Sequence, residues 1–174
     1  MKLTHKIPLY ALSIALVFIA TSTLNVTIGT SLTNLGDAFI FICSALFGPI
    51  AGFLCGGIGS CLADVALGWG HTALYTFIIK GIEGLVMGLL CNYVRKKDFK
   101  LSFNLILILF SIISSLIMIG GYFLAESFVY GTMEAALAYI YTNVIQAVLS
   151  IVVFLAVYNI LIKVKKINNI SKEF

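Results

Sequence analysis

The chain is a succession of six apolar runs, at about 8–26, 36–47, 50–67, 73–94, 102–125 and 135–162, with only short polar gaps between them. A backbone in hydrocarbon has to satisfy its own N–H and C=O groups. Runs of this kind therefore cross a bilayer as helices, at about 20 residues per span. Composition agrees, since 61% of the residues are hydrophobic and only 10% are charged, against about 25% in a soluble domain. The reading is an all-α integral membrane protein, one six-helix bundle over 1–174. Six spans leave no room for a nucleotide-binding domain, and no GxxxxGK[ST] phosphate loop occurs. Uphill transport would draw its energy from a partner chain or an ion gradient.

Ten of the eleven Lys and Arg residues fall in three places: Lys2 and Lys6; Arg95, Lys96, Lys97 and Lys100; and Lys163, Lys165, Lys166 and Lys172. With six spans all three groups lie on one side. The excess of basic residues in cytoplasmic loops makes that side, with both termini, cytoplasmic. The expected location is the bacterial cytoplasmic membrane, with the bilayer as the surrounding solvent and no nucleic-acid partner. Cys43, Cys55, Cys61 and Cys91 sit inside apolar runs at no zinc spacing and read as small apolar fillers. Ala11 and Ala15 form a small-xxx-small pair, which lets a helix approach closely, from inside the bundle or from a partner.

The segment 34–84 is as apolar as the rest, yet it carries Asp37, Asp64, His71, Lys80 and Glu83. Charges at membrane depth are costly and usually belong to a site. At about 1.5 Å per residue, Asp64 lies about 6 Å below the outer surface, Lys80 about 10 Å and Glu83 about 15 Å. Asn143 and Gln146 share a face of helix 6, and Tyr122 and Glu126 share one of helix 5. Polar groups from four helices thus reach the outer half of the bundle, while the inner half is nearly all apolar. A pocket open to the outside follows. Trp69, His71, Tyr75 and Tyr122 supply ring faces suited to a small planar heterocycle.

Several of these groups also have plainer roles. Asp37 can serve the dipole at a helix N-terminus, Asp64 can pair with Lys80, and Lys80 can pair with Glu83 at i, i+3. No serine–histidine, paired-carboxylate or metal-ligand pattern stands out, so neither catalysis nor a bound metal or cofactor is expected.

The order of motifs carries a resemblance. Ala11-x-x-x-Ala15, NLGDAFIF at helix 2, GPIAGFLCGGIGSCLAD at helix 3, FIIKGIEG in helix 4, GYFLAE in helix 5 and Asn143-x-x-Gln146 in helix 6 resemble the S components of energy-coupling factor (ECF) vitamin transporters. The likeness spans nearly the whole chain and is closest to the hydroxymethylpyrimidine and pyridoxine branch. It implies a subunit that captures a vitamin from outside and docks on a transmembrane T component with two ATPase subunits. It would give Ala11 and Ala15 the docking face, and the pocket to the outer loops and the outer halves of helices 4–6. Where that branch often carries proline, this chain reads HTALYT and YIYTN, which leaves the vitamin open. The rival reading is a proton-coupled secondary transporter using Asp64 or Glu83; the lack of inverted repeats counts against it.

Overall fold

A computed structural model describes residues 3–28, 31–95, 102–164 and 167. Most of the basic residues behind the topology expectation (Lys2, Lys96, Lys97, Lys100, Lys165, Lys166 and Lys172) lie outside them, as do Asp98 and Glu173. The elements run α1 (Leu3–Thr23), β1 (Asn25–Ile28), β2 (Ser31–Asn34), α2 (Gly36–Leu54), a π-helical turn (Cys55–Gly59), α3 (Ser60–Ala66), α4 (Ala73–Arg95), α5 (Phe103–Tyr130) and α6 (Met133–Leu161). The all-helical class holds, with one short hairpin added. Where a polar linker was read, Asn25–Ile28 and Ser31–Asn34 pair as antiparallel strands, with Asn25 opposite Asn34 and Ile28 opposite Ser31. The segment 127–134, read as a loop, is mostly taken up by α5 and α6, which leave only Gly131, left-handed, and Thr132 between them.

The count of six spans is corrected. Among the described residues, five helices are long and apolar enough to cross a membrane: Thr4–Thr23, Gly36–Ala66, Ala73–Arg95, Phe103–Val129 and Ala136–Leu161. The expected helices 2 and 3 are the two arms of the single 31-residue stretch Gly36–Ala66, folded back at Gly48. The first arm, 36–47, is about 18 Å long at 1.5 Å per residue, well short of the ~30 Å hydrocarbon core. Gly48 takes φ 79°, ψ −173°, which glycine adopts at no steric cost. Pro49 then opens the second arm at once, because a first-turn residue needs no N–H.

The reversal leaves Ala45 O without its usual i+4 donor, since position 49 is proline. The Arg95 guanidinium, from the far end of α4, donates to that carbonyl instead. Close backbone approach holds the second arm to α4. A methyl on Gly52 would lie 2.2 Å from Gly84 O, and one on Gly84 would lie 2.2 Å from Gly52 O. Only glycine permits this separation, which is the close approach of a GxxxG-type helix contact.

Three apolar layers stack along the bundle. Phe41, Met87, Leu107, Phe154 and Tyr158 fill the end nearest Gly48 and Arg95. Val17, Ile40, Cys43 and Cys55 join α1 to the folded stretch. Ile79, Met118 and Ala147 pack α4, α5 and α6 nearer the other end. That other end holds the hairpin and the polar groups.

Candidate ligand site

Asp37 starts the first arm of the folded stretch and is 1% exposed. Its carboxylate accepts from Lys80 Nζ of α4 and, at 2.8 Å, from Gln146 Nε2 of α6. Gln146 Oε1 in turn accepts from the Asn34 backbone N–H at 3.1 Å, and Asn34 Oδ1 accepts from Gly36 N–H at 2.9 Å. One carboxylate thus ties the end of β2, the first arm, α4 and α6 together. Lys80 also lies 3.3 Å from Glu83 Oε2 and 5.4 Å from the centre of the Tyr122 ring, a cation–π distance. Its backbone reaches this position because Gly56, in the π-turn, leaves room: a methyl there would lie 2.2 Å from Lys80 O.

Around this cluster stand rings and hydroxyls. The Tyr122 hydroxyl donates to Thr76 Oγ1 at 3.2 Å, and Tyr122 meets Tyr75 edge to face with centroids 6.0 Å apart. Glu126 is buried, and its Oε2 has no hydrogen-bond partner. Asn143 is half-buried, with its Nδ2 unpartnered. A buried polar group without a partner costs about 1–3 kcal/mol, which makes Glu126 and Asn143 candidates for contact with a bound molecule.

The structure brings together Tyr75, Lys80, Glu83, Tyr122 and Gln146 from the sequence list. Two other expectations change. Asp64 does not pair with Lys80: its Oδ2 accepts from Thr72 Oγ1 at 2.7 Å, and that hydroxyl also lies 2.7 Å from Trp69 O. Asp64 therefore ties down the turn between α3 and α4. Trp69 and His71 stack at 5.9 Å with a 44° tilt but are exposed on that turn, at the rim of the cluster. Asp37 is the residue that sequence reasoning undervalued. Its signal was an acid beginning an otherwise uniformly apolar run. Thr72, Thr76 and Asn34 carried no signal beyond being polar. Ala11 and Ala15 are exposed on α1, leaving their close-approach face open to another chain. Among the described residues no group of three or more His, Cys, Asp or Glu could hold a metal ion.

The comparisons with known proteins bear on what this arrangement serves. The family model described as ECF-type riboflavin transporter, S component, matches residues 1–163. A Pyrococcus woesei protein, called an uncharacterized protein in gap 3'region, is 35% identical over 124 residues, 69% of this chain and 75% of its own length. The thiamine precursor transporter HmpT of Lactococcus lactis subsp. cremoris (strain MG1363) is 31% identical over 124 residues, 71% of this chain and 65% of its own length. The family is one of transporter subunits, not enzymes. Five helices apolar enough to span and a family match over residues 1–163 lead to one conclusion: this chain belongs to the S components of ECF-type riboflavin transporters, as a multi-pass protein of the cell membrane.

Proposed function

We propose that this protein is the substrate-capture subunit of an ATP-driven ECF importer, taking a small pyrimidine- or pyridine-type vitamin or precursor from outside. The observation that carries the reading is the convergence of Asp37, Lys80, Glu83, Tyr122 and Gln146 at one end of a membrane bundle. Tyr75 and Tyr122 wall the ring, with Trp69 and His71 closing the rim. Asp64, Glu83, Glu126, Asn143 and Gln146 meet its amino, hydroxyl and ring-nitrogen groups. Lys80, expected as a pocket residue, holds the cluster together on this reading, through Asp37, Glu83 and the Tyr122 ring. A relative named for a thiamine precursor supports the small heterocycle.

The rest of the reading concerns assembly. The basic groups place the Gly48–Arg95 end and both termini on the cytoplasmic side. The exposed Ala11–Ala15 face of α1 docks the transmembrane T component, which carries two ATPase subunits. A flavin is the second reading, favoured by the description of the matching family. Mass spectrometry of the small molecule that co-purifies with the protein separates the two. A pyrimidine or pyridine supports the proposal and a flavin supports the second reading. Gradient-driven uptake by the protein alone in liposomes, without ATPase partners, sinks both.

A further inference from the structure

At the level of Glu83, below Asp37 and Lys80, lie buried serines that the sequence reading did not single out. Ser114 and Ser150 are fully buried and Ser115 is 3% exposed. None of their hydroxyls has a hydrogen-bond partner. Serines in helices commonly donate to the i−4 carbonyl, as Ser44 and Ser111 do here. These three do not.

Their level follows from the layers that bracket them. Met118 and Ala147 pack together on one side, and Leu107 and Phe154 pack together on the other. Ser114 and Ser115 lie between Met118 and Leu107 on α5, and Ser150 lies between Ala147 and Phe154 on α6. Glu83 is bracketed the same way on α4, between Lys80 and Met87, and Met87 belongs to the same lower layer as Leu107 and Phe154. Glu83 is fully buried, and neither of its oxygens accepts a hydrogen bond. Three helices thus present, at one depth, three buried hydroxyls without partners and a buried carboxylate whose Oε2 is paired only with Lys80.

We infer that Glu83, Ser114, Ser115 and Ser150 form a deeper subsite for a hydroxyl-bearing arm of the captured molecule, below the ring held by Tyr75 and Tyr122. An alcohol suits the set because it donates to the carboxylate and both accepts from and donates to serine hydroxyls. A metal cation suits it less, because Lys80 Nζ already lies 3.3 Å from Glu83 and like charges repel. The inference rests on the outer pocket taking a ring, and it adds a requirement on the substituent.

The test uses two probe pairs that differ only in the arm. These are 4-amino-5-hydroxymethyl-2-methylpyrimidine against 4-amino-2,5-dimethylpyrimidine, and riboflavin against lumiflavin. Calorimetry on the purified full chain gives affinities for the wild type, Ser114→Ala and Ser150→Ala. Within whichever pair binds, the hydroxyl-bearing member should bind the wild type about tenfold more tightly, and Ser150→Ala should shrink that ratio to within about twofold. The unligated serine variants should melt no lower than the wild type, because losing an unpartnered buried hydroxyl costs nothing. Equal affinity of both members of a pair overturns the subsite while leaving the ring pocket standing. An arm preference that survives both serine variants also overturns it. Failure of all four probes to bind overturns the pyrimidine and flavin readings and the subsite with them.

Discussion

Replacing Lys80 with Met tests the centre of the bundle. Methionine keeps the length of the stem and removes the ammonium. Lys80 is 3% exposed and is shared by Asp37, at 1% exposure, and Glu83, at 0%. Without it, two carboxylates remain in a low-dielectric site, with Gln146 Nε2 as Asp37's remaining side-chain donor. Removing one partner of a buried ion pair costs about 3–5 kcal/mol. For a chain of this size each kcal/mol shifts the melting temperature by about 2–4 °C, so the expected fall is about 6–20 °C. The assay is thermal unfolding in one detergent, followed by the single tryptophan, Trp69. The partner variant Asp37→Asn removes one of the stranded charges. The double variant Asp37→Asn/Lys80→Met should therefore be more stable than Lys80→Met alone, the coupling expected of contacting residues. Ligand affinity of Lys80→Met, measured below its melting point, should change by less than about threefold, because Asp37, Glu83 and the Tyr122 ring already engage the ammonium. A Lys80→Met protein that melts with the wild type would refute the reasoning. So would a double variant less stable than the single one.

Three further outcomes follow from other contacts. Gly52→Val places a branched side chain where even a methyl would lie 2.2 Å from Gly84 O; it should cost at least about 1–3 kcal/mol by overpacking, read as lost folded yield or a lowered melting temperature. Arg95→Met leaves Ala45 O without its donor at the Gly48 reversal and should cost about 1.5–3 kcal/mol, the usual value for a hydrogen bond to a charged group, while ligand affinity at the opposite end stays the same. Ala15→Phe projects from the exposed face of α1; binding by the isolated subunit should be unchanged, and uptake in cells should be abolished if that face docks the T component.

Much of the helical framework is readable in the sequence because hydrocarbon leaves few options. Apolar runs of span length become helices, and the glycines of GPIAG, GGIG and KGIEG fall where helices touch. The span count was less legible for a local reason. Periodicity shows that 36–47 and 50–67 are both apolar and that Gly48-Pro49 breaks them. It does not show that Pro49 can start the second arm with no linker, leaving one folded stretch in place of two spans. The strands at 25–34 were hidden because a four-residue pair has too few alternations to be told from a polar linker.

The site was legible in its membership and not in its pairings. Lys80 had two acids within plausible reach by depth, Asp64 and Glu83. A third, Asp37, was set aside as a helix-start residue. Depth along a helix follows from residue number, but direction around the bundle depends on which helices are neighbours. The fold at Gly48 sets that neighbourhood. It runs the arm 36–47 parallel to α4, so that Asp37 meets Lys80 and Ala45 meets Arg95, and it sends the second arm back antiparallel, so that Gly52 meets Gly84 and Gly56 meets Lys80. Asp64, on the far arm, is left to Thr72 and the outer turn. The same geometry gives the two ends of α4 different work. Its Arg95 end closes the reversal, and its Lys80 end neutralises part of a cluster in which Asp37 and Glu83 outnumber the single cation. Glu83 shares that one cation with Asp37, so on the proposed reading its second oxygen is the group that a donor on a captured molecule would meet.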